Sequence, residues 1–422
     1  MITARLPARS PTRRVVITGI GAFTPIGAGV EGLWTGLREC RSAVRTVTRF
    51  DPSPFRTRVA AEIDEFRPRD FMNDKDAKRL DRFTQLSLAG ARLAIDDSGL
   101  DPRRENRDRF GVMMGTALGG VAMAESQHSV YLAEGLRSVE PALAVTVFVG
   151  AASCSVAVAF GCTGPNSTNG MSCASGAIAV GDAFRAIRDD EADLMLAGGV
   201  EAPLAPLSFG AFALIRAMST RNDDPATASR PFDAGRDGFV MGEGVATLVL
   251  EEGGRALARG AKVYAEVCGY GLTNDAYHMT APRPDGSQAA RAVRLALADA
   301  QASAHEVGYV NAHGSSTPLN DPTENRAIRD VFGEHADRLL LSGTKGYYGH
   351  ALGASGAIEA AICALGSSRR WLPPTLNLVA RADDCDLPWL AGAGIEADPE
   401  LLVSNSFGFG GVNAALVLRR HA

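Results

Sequence analysis

The chain has 422 residues, a length that predicts either two packed units or one large composite domain. Apolar residues make up 46% and charged residues 22%, so the composition is globular and excludes a mostly disordered chain. A formal charge of −5 argues against bulk electrostatic binding to nucleic acid. Seven cysteines without a Cys-x-x-Cys pair exclude a disulfide scaffold and favour a reducing, cytoplasmic setting.

The N-terminal residues predict a short tail followed by a buried strand. Residues 1–14 hold four arginines and no acidic residue, and we expect a flexible tail rather than a transit peptide. Residues 15–21 have the pattern of a buried strand that ends in a glycine turn. This turn is not a dinucleotide fingerprint, because Thr24 occupies the position of its third glycine.

Strand-like segments then alternate with helical ones. An amphipathic helix is predicted at 75–99, and apolar strands that run into glycine turns are predicted at 110–116, 191–199 and 308–314. This alternation indicates an α/β protein whose sheet is covered on both faces.

A long segment without charged residues separates Glu140 from Asp182. Its first half, 142–162, is apolar enough to resemble a membrane span, but glycine and serine interrupt it and a polar turn follows at 164–170. We therefore expect a buried, closely packed helix and no membrane insertion. So long an uncharged segment also indicates a subunit interface or an enclosed site.

One five-residue segment occurs twice. Ala-Ser-Gly-Ala-Ile stands at 174–178 and again at 354–358, and each copy opens a predicted helix after a glycine-bearing turn. Five small residues can recur by chance in an alanine-rich chain, but the shared context favours duplication of one ancestral half. The expected domains are a half at 15–255 and a half at 256–422.

Cys173 is the candidate nucleophile. It precedes a predicted helix, where unpaired N–H groups and the helix dipole favour a thiolate and lower the pKa of a cysteine. A thiol in this position can attack without a strong base beside it. The alternative interpretation is a small buried side chain, which is what most free cysteines are.

Two histidines stand beside a glycine in loops that follow apolar strands. His313 and His350 occupy these loops, where α/β proteins place their sites. With Cys173 they form a nucleophile-and-imidazole set. A metal site is the competing interpretation, although no His-Glu-x-x-His motif is present. Lys345 lies five residues before His350 and is a candidate for an ion pair with Glu359.

Several motifs together resemble the elongating β-ketoacyl-acyl carrier protein synthases, type II ketosynthases of the thiolase superfamily. The similarity runs from about Arg14 to Arg420. The matching segments are 219–223, 230–233, 237–244, 311–321, 344–345, 349–350 and the glycine-rich 404–411. The resemblance implies an α/β thiolase fold, a duplicated five-layer α-β-α-β-α sandwich that dimerises through the segment before the nucleophile.

The resemblance also implies a role for each candidate residue. Cys173 would be acylated, and His313 and His350 would bind and activate a malonyl thioester. The remaining implied roles are support from Lys345, Glu324, Glu359, Asp321 and Thr317, an oxyanion hole and gate at Cys173, Phe407 and Phe409, and an acyl pocket at Leu118 and Phe212.

The implied reaction is the decarboxylative Claisen condensation of a cysteine-bound acyl chain with malonyl-acyl carrier protein. It needs no cofactor and no metal, since the acyl groups arrive on the phosphopantetheine arm of the acyl carrier protein. The expected partners are this carrier and a second subunit, either identical or a chain-length-factor-like paralogue. Neither nucleic acid nor a membrane is expected as a partner.

Three segments depart from the pattern of the fatty-acid enzymes. They are 169–172 before the cysteine, Ser315 in place of the common threonine, and Gly-Tyr-Tyr at 346–348. These departures favour a type II polyketide pathway, with housekeeping fatty-acid elongation as the alternative. Because Tyr347 and Tyr348 stand between Lys345 and His350, we expect them to reshape the pocket.

Two further interpretations compete with an elongating enzyme. Chain-initiating synthases and thiolases use a Cys-His-Asn or Cys-His-Cys set, and His350 argues against both. A non-catalytic chain-length subunit would lack the nucleophile, and Cys173 argues against that interpretation.

Overall fold

The structure, a computed structural model, describes residues 13–421. Most of the tail predicted at 1–14 therefore lies outside the described residues. Its last two residues form ion pairs with the rest of the protein. Arg13 lies 2.8 Å from Asp190, and Arg14 lies 2.7 Å from Glu266.

Strands and helices alternate along the described chain, as the sequence predicts. The strands are β1 (Val15–Thr24), β2 (Gly27–Ala28), β3 (Val44–Thr46), β4 (Val59–Ala61), β5 (Phe110–Gly115), β6 (Asn166–Asn169), β7 (Leu194–Glu201), β8 (Met241–Gly242), β9 (Gly244–Glu252), β10 (Ala265–Asn274), β11 (Val307–Ala312), β12 (Leu340–Gly343), β13 (Trp371–Leu372), β14 (Ile395–Glu396), β15 (Leu401–Gly408) and β16 (Val412–Arg420). The α-helices are α1 (Gly29–Arg38), α2 (Asp74–Arg79), α3 (Arg82–Ser98), α4 (Val121–Glu134), α5 (Leu143–Thr146), α6 (Ala151–Phe160), α7 (Ser175–Arg188), α8 (Pro206–Leu214), α9 (Gly253–Ala258), α10 (Ser287–Asp299), α11 (Asn320–Phe332), α12 (Lys345–Tyr348) and α13 (Ser355–Arg369).

The main sheet consists of two halves with the same strand order and directions. Its order is β6-β5-β7-β9-β1 followed by β10-β16-β15-β11-β12, with β2 paired to β1 at the side. In the first half β5 is parallel to β6 and β7, and β7, β9 and β1 are antiparallel. In the second half β11 is parallel to β12 and β15, and β15, β16 and β10 are antiparallel. The duplication predicted from the repeat is therefore visible in the topology.

Helices complete five layers around the two half-sheets. β1 and β10 pair only over Val15–Ile17 and Ala265–Val267, and α7 and α13 pack between the halves. Helices α3 and α6 cover the outer face of the first half, and α10 and α11 cover that of the second. The order α-β-α-β-α confirms the expected thiolase fold.

The repeated segment forms the point where the two central helices cross. A Cβ atom on Gly176 would lie 2.8 Å from the backbone nitrogen of Ala357, and one on Gly356 would lie 2.7 Å from that of Ala177. Backbones can approach this closely only at glycine, because the Cβ atom of any other residue would clash with the facing helix. The crossing brings the N-termini of α7 and α13 together at the centre of the molecule.

The uncharged segment is buried on one side only. Its first half, 142–162, forms α5 and α6, and there Ala152 and Val156 are fully buried, whereas Val158 is 85% exposed. The expectation of a buried helix therefore holds for one face of α6 and fails for the other. None of the described helices is long and apolar enough to cross a membrane.

Candidate active site

Cys173 lies in a short 3-10 turn, Ser172–Ala174, directly before α7. Only 7% of its surface is exposed, and it lines a cavity of about 260 Å³. Ser172 has a positive φ of 53°, and Leu352 has one of 40° at the equivalent turn before α13. The duplicated turns thus present Cys173 and the residues after His350 to the same space.

Burial dominates the acidity of the Cys173 thiol. It raises the pKa to about 12, against the opposing effects of the Lys345 charge and of a hydrogen bond from the Phe409 N–H. The position before α7 is as predicted, but the lowered pKa expected there is wrong, because desolvation of the buried thiolate outweighs the nearby donors. Burial therefore favours the neutral thiol form of Cys173.

His313 and His350 line the same cavity as Cys173. Their ring centroids are 5.2 Å apart, with an angle of 79° between the planes. Burial, and secondarily the Lys345 charge, holds the pKa of both rings well below the ordinary value. Both histidines are therefore neutral imidazoles, each with one N–H donor.

Lys345 is fully buried and sets the tautomer of His313. Its ammonium group donates to the His313 carbonyl, forms an ion pair with Glu359, and lies 3.4 Å from Nδ1 of His313. An ammonium group has donors only, so Nδ1 of His313 accepts and the ring proton resides on Nε2. The Nε2–H group of His313, a residue that lines the cavity, remains available as a donor.

His350 is held by contacts that no sequence motif predicted. Its Nδ1 shares a hydrogen bond of 2.9 Å with the hydroxyl of Ser355, the first residue of α13. Its backbone N–H donates to the carbonyl of Val240 at 2.6 Å, and the ring of Phe239 packs 5.5 Å from its own. The position of Ser355 in the second copy of the repeat was the one available signal.

Glu324 and Asp321 lie behind the cavity wall. Glu324 accepts the backbone N–H groups of His313 and Gly314 at 2.8 and 2.9 Å, and burial raises its pKa to about 7. Asp321 accepts the N–H of Phe232 at 2.8 Å, and burial raises its pKa as well. Both carboxyl groups hold backbone in place and neither lines the cavity.

The remaining predicted residues divide between the cavity wall and an apolar cluster next to it. Thr317, Phe407 and Phe409 line the cavity. Phe212 and Leu118 do not line it and instead pack in the apolar cluster that contains Cys173. The ring of Phe212 is parallel to that of Phe409, with centroids 6.4 Å apart. The acyl pocket predicted at these two residues stays a prediction, and both side chains are partly buried next to Cys173.

Tyr347 and Tyr348 do not shape the cavity. Both are fully buried in the central core and neither lines the wall. The Tyr347 hydroxyl donates to the carbonyl of Pro374 at 3.2 Å, and that of Tyr348 lies 2.7 Å from the Thr344 hydroxyl. The expectation that they reshape the pocket is wrong, because α12 turns both side chains into the core.

The mouth of the cavity includes residues that no motif singled out. His278, Met279 and Thr280 line it, and Met279 is 73% exposed. Nδ1 of His278 accepts the backbone N–H groups of Thr280 and Ala281 at 3.1 and 3.2 Å. This exposed loop is the rim that an incoming molecule meets.

Within residues 13–421 there is no group of three or more His, Cys, Asp or Glu side chains arranged to hold a metal. Several buried oxygen atoms of the described residues have no hydrogen-bond partner, among them Oδ1 of Asn311, Oε2 of Glu359, Oγ of Ser404 and Oδ1 of Asn405. Oxygen atoms of this kind are suitable ligands for a hard cation. They are not the thiolate or imidazole ligands that zinc prefers.

Comparison with known proteins identifies the family. A model of the β-ketoacyl synthase N-terminal domain matches residues 12–256, and a model of the C-terminal domain matches 264–379. The 3-oxoacyl-[acyl-carrier-protein] synthase 2 of Synechocystis sp. is 44% identical over 409 residues, which cover 97% of this chain and 98% of the relative. The chain belongs to the β-ketoacyl synthase family.

Two solved structures resemble this β-ketoacyl synthase over its length. One is a type II polyketide acyl-carrier protein in complex with its ketosynthase bound to the hexaketide, at 34% identity and a TM-score of 0.91, covering 98% of this chain and 100% of that chain. The other is the ishigamide ketosynthase/chain length factor, at 36% identity and a TM-score of 0.92, with the same coverage. The β-ketoacyl synthase described here is an acyltransferase of the ketosynthase class.

Proposed function

We propose that this β-ketoacyl synthase joins an acyl chain held on Cys173 to a malonyl group by decarboxylative Claisen condensation. Both groups arrive as thioesters of acyl carrier protein, and the product is a 3-ketoacyl thioester. The observation that carries the proposal is one thiol and two neutral imidazoles that line a single cavity. No separate organic cofactor takes part.

Acylation of Cys173 is the first step. The sulfur attacks the acyl carbonyl, the new carbon–sulfur bond forms, and the bond to the carrier breaks. The carrier thiolate leaves with the proton that Cys173 gives up. The backbone N–H groups of Cys173 and Phe409 donate to the oxyanion, which is the largest single contribution expected in acyl transfer.

Decarboxylation of the malonyl thioester is the second step. The bond to the carboxylate carbon breaks, carbon dioxide leaves, and the electron pair forms an enolate. The enolate oxygen accepts from the Nε2–H groups of His313 and His350, which for His350 requires that the Ser355 hydroxyl donate to Nδ1. Because both rings are neutral and pre-oriented by Lys345 and Ser355, they stabilise this charge without first losing a proton.

Condensation is the third step. The enolate carbon attacks the acyl carbonyl on Cys173, the carbon–carbon bond forms, and the carbon–sulfur bond breaks. The departing thiolate takes a proton from water, which restores the neutral thiol that burial favours.

The proposed partners are an acyl carrier protein and a second subunit. The exposed mouth loop with His278 and Met279 is open to a carrier arm. Apolar side chains exposed on neighbouring elements favour a second subunit, identical or a chain-length-factor-like paralogue; they include Leu132, Leu136, Val145, Phe148 and Val158.

The pathway has two candidates. Type II polyketide synthesis is supported by the likeness to the two solved ketosynthases, and fatty-acid elongation is supported by the 44% identity to a 3-oxoacyl-[acyl-carrier-protein] synthase 2. Competition between saturated and poly-keto or polyene acyl carriers of equal length separates them. Preference for the unsaturated or poly-keto chains would support the polyketide pathway. Equal or better use of saturated chains by the protein alone would support fatty-acid elongation.

The test of the proposed reaction is the labelling of Cys173. Incubation with a radiolabelled acyl-carrier thioester should label the wild type and the Cys154→Ala variant, whose cysteine is exposed on α6, but not Cys173→Ala. Label that persists on Cys173→Ala would refute the assignment of the nucleophile.

A further inference from the structure

Glu201 is a buried carboxylate that the proposed chemistry does not use. It ends β7 with none of its surface exposed, and each of its oxygens accepts two hydrogen bonds. Oε1 accepts from the Thr116 hydroxyl and the Leu118 N–H, both at 3.0 Å. Oε2 accepts from the N–H groups of Ala117 at 2.6 Å and Gly353 at 2.9 Å.

The four donors come from the two halves of the duplicated fold. Three lie in the loop 116–119, which follows β5 and carries Leu118 into the apolar cluster around Cys173. The fourth, Gly353, follows Leu352, which lines the cavity beside His350. One carboxylate therefore joins the loop on the acyl side of Cys173 to the turn on its malonyl side.

Backbone packing independently fixes the same junction. A Cβ atom on Gly353 would lie 2.4 Å from the nitrogen of Ala117 and 2.6 Å from the carbonyl carbon of Thr116. The Ser175 hydroxyl lies 3.1 Å from the Thr116 carbonyl and 2.7 Å from that of Ser172. The nucleophile turn, the loop and the turn before α13 thus lie in close contact next to Glu201.

We infer that Glu201 is a positioning residue that keeps the acyl side and the malonyl side of the Cys173 cavity in one relative arrangement. The inference rests on the proposed acyl transfer to Cys173. Acylation needs the thiol and its oxyanion donors, all of which lie beside α7. Carbon–carbon bond formation also needs the enolate at the histidines within reach of the acyl carbonyl, so it depends on Glu201 more strongly.

The experiment compares the two steps in Glu201→Gln. An amide offers one acceptor oxygen in place of two, so two of the four donors lose their partner. We expect condensation to slow by about 10- to 100-fold, because displacement of reacting groups by an ångström has this effect, while acylation stays within about threefold. Both rates are measured per mole of Cys173 that takes up label, first without and then with malonyl carrier.

A matched control separates positioning from loss of a buried charge. Glu251 is equally buried at the opposite end of the β7–β9 pair, where it accepts from the Thr18 hydroxyl at 2.7 Å and from Arg259 at 2.8 Å. Glu251→Gln should leave the ratio of condensation to acylation unchanged.

Two milder variants keep the inference testable where Glu201→Gln fails to fold. Thr116→Val removes one donor to Glu201 and should lower the same ratio by less, and Thr116→Ser, which keeps the hydroxyl, should restore it. An equal loss of rate in acylation and condensation, or a ratio of condensation to acylation as high as in the wild type, would overturn this inference but not the proposed function. A wild type that cannot acylate Cys173 would overturn the proposed function and this inference with it.

Discussion

Around the cavity, burial and the charge of Lys345 together determine which side chains are neutral. Burial favours the neutral form of every titratable group, and the ammonium of Lys345 opposes it at Cys173 while reinforcing it at His313 and His350. The result is a neutral thiol beside two neutral imidazoles, with Lys345 paired to Glu359. Donors for a developing oxyanion are therefore in place before any substrate arrives.

The histidines should act in only one half of the reaction. We expect His313→Ala and His350→Ala to retain acylation of Cys173 but to lose malonyl decarboxylation by about 10²- to 10³-fold, because each removes an N–H donor to the enolate oxygen. Release of labelled carbon dioxide measures this step. His305→Ala, which changes an exposed ring, serves as the control. Loss of acylation with decarboxylation intact would reverse the assigned roles.

The Lys345–Glu359 pair should show strong coupling in stability. Removing one partner leaves an unpaired buried charge, so Lys345→Met should lower the free energy of unfolding by about 3–5 kcal/mol at pH 8. The double variant Lys345→Met with Glu359→Leu should recover most of this loss. Urea denaturation of both variants and the wild type measures the coupling, and additive effects would contradict it.

The pH dependence of the single variant follows from the same pair. Burial raises the pKa of Glu359 to about 7 even beside Lys345, so the folded state binds its proton more tightly than the unfolded state does. Without Lys345, the pKa of Glu359 in the folded state rises further, because the opposing charge is lost. The stability of Lys345→Met should therefore fall as the pH rises from 5 to 8, and a flat profile would show that Glu359 is not the group responsible.

At the scale of residues, sequence patterns singled out the three candidate residues that line one cavity, but not the residues that support them. Cys173, His313 and His350 stand in motifs that chemistry constrains directly. Ser355 and Glu201 act on backbone or ring atoms from distant parts of the chain, so their roles depend on which loops the fold brings together. The acidity of Cys173 was predicted with the wrong sign, since a helix start is visible in a sequence and the depth of burial is not.

At the scale of elements, the strands were predicted closely and one helix was not. The segments 110–116 and 308–314 correspond to β5 and β11 within one or two residues. The predicted helix at 75–99 is interrupted, because Leu80 is extended and Asp81 caps α3 by accepting the N–H of Phe83 at 2.8 Å. An aspartate N-cap inside an amphipathic stretch is a start signal that outweighs the periodicity.

The crossing of α7 and α13 should tolerate no side chain. A methyl group on Gly176 would lie 2.8 Å from Ala357 nitrogen, so Gly176→Ala should lower the free energy of unfolding by about 1–3 kcal/mol through overpacking. Gly254→Ala in α9 is the control, since its neighbours are the flexible atoms of Glu252 and helix propensity favours alanine. Thermal denaturation that shows equal shifts for both variants would contradict the close crossing.

For the whole molecule, the repeat predicted two related halves and the topology contains them. What the sequence could not supply is the short β1–β10 pairing that joins the half-sheets, because a three-residue register leaves no pattern in either strand. The sequence also could not show that one apolar face of α6 is exposed. An apolar helix face has the same residue pattern whether the protein core or another molecule covers it.

Assembly of the molecule should depend on that face. Placing a charge at Val158, which is 85% exposed, should convert a dimer of the wild type into monomers, since Val158→Asp buries an unpaired carboxylate in the interface. Light scattering on the purified proteins measures this change. Leu257→Asp on α9, where the leucine is 57% exposed, should leave the mass unchanged. A wild type that is monomeric on its own would point to a partner paralogue.

The enclosed thiol has a consequence for survival under oxidation. Peroxide attacks thiolates, and a cysteine whose pKa burial raises to about 12 offers almost none at neutral pH. Cys173 should therefore resist oxidation when the free enzyme meets peroxide, as mass spectrometry of its peptide would show. Burial of the Cys173 thiol would then keep this residue reduced in the enzyme before substrate binds.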